Sequence, residues 1–375
     1  MEKFSSYRDP GTGIQPFLTP LPPAGSDAIS TALLPLGFLI GTVRMTLIAV
    51  LGLLYTILIG VCALLKPVPP LYRAVAYALT AILSRLVLLL VGLWWIQVEV
   101  VTRKRVKGVK YNESWNPRAG DIIVSNWASW VELLWLAFRF NPVFLVPVAR
   151  SVEVSSSQTS TPISRTPGRR TGTGSAAIST LSTRAPTIRA EILGFHELSL
   201  ISMISHTGKP PLLPGSVTHL SLQEIRSKAD RPIVIFPECT TSNGRGLLRF
   251  ADVFQGIEVP VKKFKVFVMC VRYDPPTSLS PSVSHSIPSS TINPLIHMFK
   301  LATSLAPLNI SIRLLNPTES PSSGSFLLSE VLSNEPPDVL SEVCASLVAQ
   351  IGKMKRVGMG WEDKVSFLDL YRAKK

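Results

Sequence analysis

The sequence predicts an α/β domain carried on an N-terminal hydrophobic helical hairpin, and two observations predict it. Residues 45–65, MTLIAVLGLLYTILIGVCALL, contain no charge and match the roughly 20 apolar residues that a helix needs to cross a hydrocarbon core. After residue 99, short apolar runs of strand length alternate with segments of helical period.

Composition agrees with a lipid setting. Of the 375 residues 46% are hydrophobic and 17% charged, against roughly 25% charged in ordinary globular domains, so part of the apolar content belongs in a bilayer. The net charge of +14 asks for a negative partner. No zinc-finger spacing, RNA-binding signature or basic coiled-coil region is present, which argues against nucleic acid. Anionic lipid headgroups and polyphosphate cofactors suit the charge better. Cys62, Cys239, Cys270 and Cys344 form no CxxC pair, and the five histidines are scattered, so reduced thiols and no metal site are expected.

Residues 1–30 read as a polar tail punctuated by Pro and Gly, with the first apolar run too late for a cleaved signal. Residues 31–98 read as the membrane hairpin. Arg44 starts the 45–65 span, where it can snorkel to headgroups, and Lys66-Pro-Val-Pro-Pro ends it. A second apolar stretch covers 71–98, but Arg85 at its middle would cost about 2.5–3.5 kcal/mol on insertion scales. It is therefore predicted as a re-entrant or in-plane helix, or a second span over about 74–96, with Trp94 and Trp95 at the interface. Arg103, Lys104, Arg105, Lys107 and Lys110 follow, and the positive-inside bias then puts residues 99–375 in the cytosol.

Within 99–375 the pattern predicts strands over 96–101 and 121–125 and an apolar helix over 130–140. Residues 151–190 turn Ser/Thr/Arg/Gly/Pro-rich and read as a disordered insertion, a variable spacer or a basic segment for anionic lipid. A helix over 216–229, strands over 232–236 and 266–273, a helix over 294–305, a strand over 310–315 and a helix over 337–357 complete the order.

The most informative string is residues 233–245, IVIFPECTTSNGR: a buried strand ending in Pro237 and Glu238, then Cys239, Thr240, Thr241 and Ser242, then Arg245. Small residues after a strand leave backbone N–H groups open to an anion such as phosphate, and Arg245 adds charge. A tight structural turn has the same appearance. Lys262, Lys263 and Lys265 offer further charge for polyphosphate, or a solvated charged run.

Phe236, Pro237, Glu238, Thr240, Thr241 and Ser242 resemble the F-P-E-G-T-T/R-S motif of the glycerolipid (1-acylglycerol-3-phosphate) acyltransferases. About a hundred residues earlier, Asn126, Ser129 and Glu132 in N-W-A-S-W-V-E resemble that family's N-H-x-S-x-x-D motif. The opening GTGIQPFLTP and closing GMGWEDKVSFLDLYRAKK are similar to the fungal lysophosphatidic acid:oleoyl-CoA acyltransferase branch. The resemblance implies a glycerolipid-acyltransferase-like mixed sheet with flanking helices. It further implies acyl-CoA as co-substrate with no bound cofactor, a lysophospholipid acceptor, and an endoplasmic reticulum membrane or lipid-droplet location.

Residue by residue it implies Asn126, Ser129 and Glu132 at the reaction centre and Pro237, Glu238, Cys239, Thr240, Thr241, Ser242 and Arg245 at the substrate. Two positions depart from the family. Trp127 stands where the family's histidine acts as general base, and Cys239 stands where it has glycine. Glu132, His196 and His206 are the replacement bases considered, and the Cys239 thiol reads as either an acyl acceptor or a small packing residue. His219, His285 and His297 read as structural. Gly194-Phe195 keeps part of a middle motif but not its arginine, so the acceptor headgroup stays open, as does a silent lipid-binding relative.

Overall fold

The computed structural model describes residues 4–23, 28–103, 114–151, 189–332 and 336–373. The basic cluster beyond Arg103 and the insertion expected at 151–190 therefore lie outside the described residues, apart from their margins.

Two apolar helices lead the chain, α1 (Ala28–Cys62) and α2 (Pro69–Val91). The domain follows as β1 (Gln97–Val101), β2 (Ile122–Ser125), α3 (Val131–Phe140), β3 (Val143–Ala149), β4 (Ile192–Leu198), α4 (Leu200–His206), α5 (Leu222–Lys228), β5 (Ile233–Ile235), β6 (Gly246–Leu247), β7 (Val266–Tyr273), α6 (Leu295–Ala302), β8 (Ile310–Leu315), α7 (Val339–Gly352), β9 (Lys355–Arg356) and α8 (Trp361–Ala373).

Seven strands form one mostly parallel mixed sheet in the order β1-β8-β7-β2-β5-β3-β4, while β6 and β9 pair separately. β3–β4 and β7–β8 are its antiparallel pairs. The inner strands are apolar on both faces because helices cover both. Ile122, Val124, Ile233 and Val268 pack under α7, and Ile123, Val234, Phe267 and Met269 pack under α3. At the neck of the β3–β4 pair the Arg150 N–H donates to the Glu191 carbonyl at 3.0 Å. The chain before the 152–188 segment thus meets the chain after it.

The hairpin differs from the expected one. α1 has 35 residues, about 50 Å at 1.5 Å per residue, so it outruns a hydrocarbon core and its first turns lie against the domain. A Cβ on Gly41 would sit 2.5 Å from the Thr303 methyl, so only glycine lets the helix approach α6 this closely. Arg44 does not start the span but lies mid-helix, donating to the carbonyls of Ala302 (3.1 Å) and Ser304 (2.8 Å), the loose C-terminal end of α6.

Arg85 is resolved similarly. It donates to the carbonyls of Leu93 (3.1 Å) and Trp94 (2.8 Å) just beyond its own helix, so its charge is met by the free carbonyls at the helix end. α2 is one continuous helix, capped by Gly92 at φ 104°. The most apolar window of α1 is 11% covered by protein and that of α2 33%. Both helices are long and apolar enough to cross a membrane.

Other corrections have local causes. The helix expected over 216–229 shrinks to α5 because Ser221 and Glu224 form a capping box that starts it there, while Leu220 exchanges two backbone bonds with Phe195 on β4. β3, β4, α4 and α8 add to the expected order, and Pro147 inside β3 explains why that strand was hard to read. The tail of 1–30 is not simply polar, since Tyr7 and Phe17 are buried against Phe367 of α8.

Candidate active site

The site grows from three strand ends. β2, β5 and β7 are adjacent and parallel, so their C-terminal ends share one edge of the sheet, the edge at which sheets of this kind bind ligands. β2 leads into Asn126, Trp127, Ala128 and Ser129, β5 leads into Pro237 and Glu238, and β7 ends at Tyr273.

Glu238 is completely buried. Its carboxylate accepts the Trp127 N–H at 2.8 Å and the Leu248 N–H at 3.0 Å. Beside it the Ser242 N–H donates to the Trp127 carbonyl at 2.9 Å. These bonds join the two segments singled out from the sequence. Burial pushes the Glu238 carboxyl up to about 8, opposed by the two N–H donors.

Glu132 is equally buried but differently partnered. One oxygen accepts the N–H groups of Ala128 (2.6 Å) and Ser129 (3.1 Å), and the other accepts the Tyr273 hydroxyl at 2.7 Å. Burial raises its carboxyl to about 7, with the hydrogen bond from Tyr273 the strongest opposing influence. Ser129 Oγ accepts the Val131 N–H at 3.4 Å, at the first residue of α3. Asn126 bonds both backbone groups of Val271, at 2.7 and 2.9 Å, and locks β2 to β7. Of the three residues expected at the reaction centre, Glu132 and Ser129 thus both bond the hydroxyl of Tyr273, a half-buried side chain at the end of β7. Tyr273 was missed because nothing local marks it; its meaning comes from ending the strand next to β2.

Trp127 is 1% exposed. Its ring stacks on Phe236 (5.0 Å between centroids) and on His206 (6.4 Å), and its N–H donates to the Ser129 carbonyl. Where the resemblance implies a base, this chain has a packed wedge. His206 Nε2 is buried without a hydrogen-bond partner among the described residues, and burial lowers the ring's pKa to about 4, so it is neutral at pH 7. His196 lies on the edge strand β4, its ring against the Thr218 carbonyl at 2.9 Å and apart from the three strand ends.

The turn after Glu238 is bonded largely to protein. Thr240 Oγ1 donates to the Lys209 carbonyl at 3.0 Å, Thr241 Oγ1 to the His285 carbonyl at 2.6 Å, and Ser242 Oγ accepts the Gly244 N–H at 3.2 Å. The backbone N–H groups of Cys239, Ser242 and Asn243 also have protein acceptors. Among residues 237–242 and Arg245, only Arg245 is exposed. Cys239 sits at φ 58°, in the region that glycine adopts freely, and its thiol is buried and pushed well above its usual pKa. That is a packed thiol, not an acyl-accepting thiolate.

Both ends of the chain reach this turn, which sequence reasoning did not foresee. Asn243 donates to the carbonyls of Gln15 (2.7 Å) and Leu18 (2.9 Å). From α8, the wholly buried Lys364 donates to the Thr241 carbonyl at 2.6 Å, and burial holds its amine well below the usual lysine pKa. Asp9 accepts the Gly358 N–H at 2.9 Å and ties the two ends together. Among the described residues no cluster of His, Cys, Asp and Glu is arranged to hold a metal ion.

These features define a class: an α/β domain beside an apolar helix pair, with two buried carboxylates at the ends of adjacent parallel strands. Along its whole length the chain is similar to a Schizosaccharomyces pombe protein provisionally named lysophosphatidic acid:oleoyl-CoA acyltransferase, at 24% identity over 380 residues, covering 100% of this chain and 99% of the relative. No protein-family profile matches the chain, and no solved structure matches it.

Proposed function

We propose that the protein transfers a fatty acyl group from acyl-CoA to the free hydroxyl of a lysophospholipid, with lysophosphatidic acid as acceptor and phosphatidic acid as product. The observation that carries this reading is the bond from the Trp127 N–H to Glu238, which brings together the two segments that resemble the acyltransferase motifs. The full-length similarity to the yeast protein supports the same reaction class. Phospholipid and triacylglycerol synthesis at the endoplasmic reticulum membrane or lipid droplet, with the domain in the cytosol, is the setting that fits.

Glu132 is sealed, so the Tyr273 hydroxyl is the group placed to meet the acceptor. As the acceptor oxygen attacks the thioester carbonyl carbon, its proton passes to the Tyr273 oxygen while the Tyr273 proton passes to Glu132. Collapse of the tetrahedral intermediate breaks the carbon–sulfur bond, and the coenzyme A thiolate takes the proton back through Tyr273. A carboxyl near 7 is well matched to such exchange at neutral pH. Asn126 and Ser129 position the turn, residues 237–242 form the floor of the substrate site, and Arg245 on its rim meets coenzyme A phosphate.

The buried Trp127 supports one rival, a relative that binds lipid without turnover. The test is acyl transfer by the purified full-length protein in micelles, with labelled oleoyl-CoA and a panel of lysophospholipids. Product with lysophosphatidic acid that falls sharply in Tyr273→Phe is expected. Lipid binding without product sinks the enzyme reading, and product with a different lysophospholipid replaces the acceptor.

A further inference from the structure

A cavity of about 840 Å³ opens between residues 19–22, the first turns of α1, one side of α6, the end of α8 and the 276–290 segment, large enough for a drug-sized ligand. Its apolar wall includes Leu33, Leu34 and Phe38 of α1 together with Ile296 of α6. Lys300 and Arg372 are both exposed on its lining, and no acidic residue lines it among the described residues. The far wall is His285 and His297, whose rings lie 4.6 Å apart. His285 Nε2 lies 2.7 Å from Asn293 Oδ1, and His297 lies between the Trp130 indole N–H and the Ser282 carbonyl, both at 3.0 Å. Burial lowers the two rings to about 4 and about 3, so this wall is polar but uncharged at pH 7.

The cavity adjoins the candidate active site through backbone. The His285 N–H donates to the Ala128 carbonyl at 2.7 Å, and its own carbonyl accepts the Thr241 hydroxyl at 2.6 Å. One residue therefore lines the cavity and holds both active-site turns. Arg44, Gly37 and Gly41 fix the α1 wall by seating that helix on the end of α6.

We infer that this cavity receives a single-chain anionic lipid from the bilayer, its acyl chain along Leu33, Leu34 and Phe38 and its phosphate at Lys300 and Arg372. The apolar wall belongs to the first turns of a helix long and apolar enough to span a membrane, so a lipid could slide along that helix from the bilayer edge into the cavity, a route distinct from that of water-borne acyl-CoA. Two cations without a lining acid select a negative headgroup. The inference rests on the proposed acyltransferase reading and names where its acceptor sits.

The test uses full-length protein in phosphatidylcholine nanodiscs and displacement of a fluorescent lysophosphatidic acid. Oleoyl-lysophosphatidic acid is expected to compete at least ten-fold better than glycerol 3-phosphate, which lacks the chain, and than monooleoylglycerol, which lacks the phosphate. The double variant Lys300→Glu, Arg372→Glu is expected to weaken lysophosphatidic acid binding at least ten-fold, with an unchanged thermal transition as the control for folding. Unchanged binding in that variant overturns the assignment. Equal competition by glycerol 3-phosphate means a free-phosphate site, equal competition by monooleoylglycerol means an apolar slot, and either also overturns it. Binding needs no turnover, so intact lipid binding without acyl transfer removes the proposed reaction and leaves the site. Acyl transfer with an unaltered KM for lysophosphatidic acid in the double variant removes the site and leaves the reaction.

Discussion

The turn that carries Glu238 and the turn that carries Glu132 both bury a carboxylate completely, yet they are built for different work. Glu238 accepts two backbone N–H groups, and its loop is held by Asn243 and Thr241 to both ends of the chain. Glu132 accepts two N–H groups of its own turn and the hydroxyl of Tyr273, a half-buried side chain from the end of β7. A buried carboxylate bonded only to backbone acts as a brace, whereas one bonded to a phenol has a partner through which a proton can pass.

The sharpest way to break this contrast is Glu238→Ala, which leaves two buried N–H donors without acceptors at about 1–3 kcal/mol each. Loss of the cooperative thermal transition, or a fall in stability of about 2–6 kcal/mol, is expected. A fully stable variant that is merely inactive would make Glu238 a chemical group rather than a brace. Next comes Tyr273→Phe, expected to cut turnover by about 10²–10⁴, the usual range for a proton-transfer group, with little change in melting temperature.

The same pair sets a pH dependence. Glu132 must be ionised to accept the proton, so turnover should fall as pH drops through about 7, and Glu132→Gln should remove that limb. The Tyr273 hydrogen bond lowers the Glu132 pKa, so in Tyr273→Phe the residual rate should show the limb at higher pH. Glu238 and Lys364 are the nearby ionisable groups, and a limb that survives Glu132→Gln would shift the assignment to them.

A smaller effect is expected for Lys364→Met, which keeps the buried stem but leaves the Thr241 carbonyl without its donor. A loss of about 1–3 kcal/mol in denaturant titration is predicted, and none if the α8 contact is incidental. Smallest is Cys239→Gly. It relieves a side chain at φ 58° and removes a buried thiol, two effects of about 1 kcal/mol each and of opposite sign. Turnover should be unchanged; a large loss would restore a role for the thiol.

Much of the architecture was legible in sequence because it rests on local pattern. The uninterrupted apolar run announced α1, and β8 and β7 lie where the apolar runs of 310–315 and 266–273 put them. β3 and β4 were not legible, since Pro147 interrupts one and the pair is closed by residues separated by some forty positions of low-complexity sequence. The site divided in the same way. Glu238 and Glu132 stood in recognisable strings, but Tyr273 and Lys364 owe their positions to strand order and to the return of the C-terminal helix. The fit of Arg44 to the end of α6 is likewise a distance in space that no spacing along the chain encodes.

That Gln15, Leu18 and Lys364 all bond the Thr241–Asn243 stretch bears on the order of biosynthesis. During translation α1 emerges long before α8, so the apolar helix pair is made while the turn that follows Glu238 still lacks its lysine. Helix α8 is in that sense a late latch: the turn gains its buried lysine only after more than a hundred further residues have been made, so its final set of bonds cannot form as soon as the turn itself is synthesised.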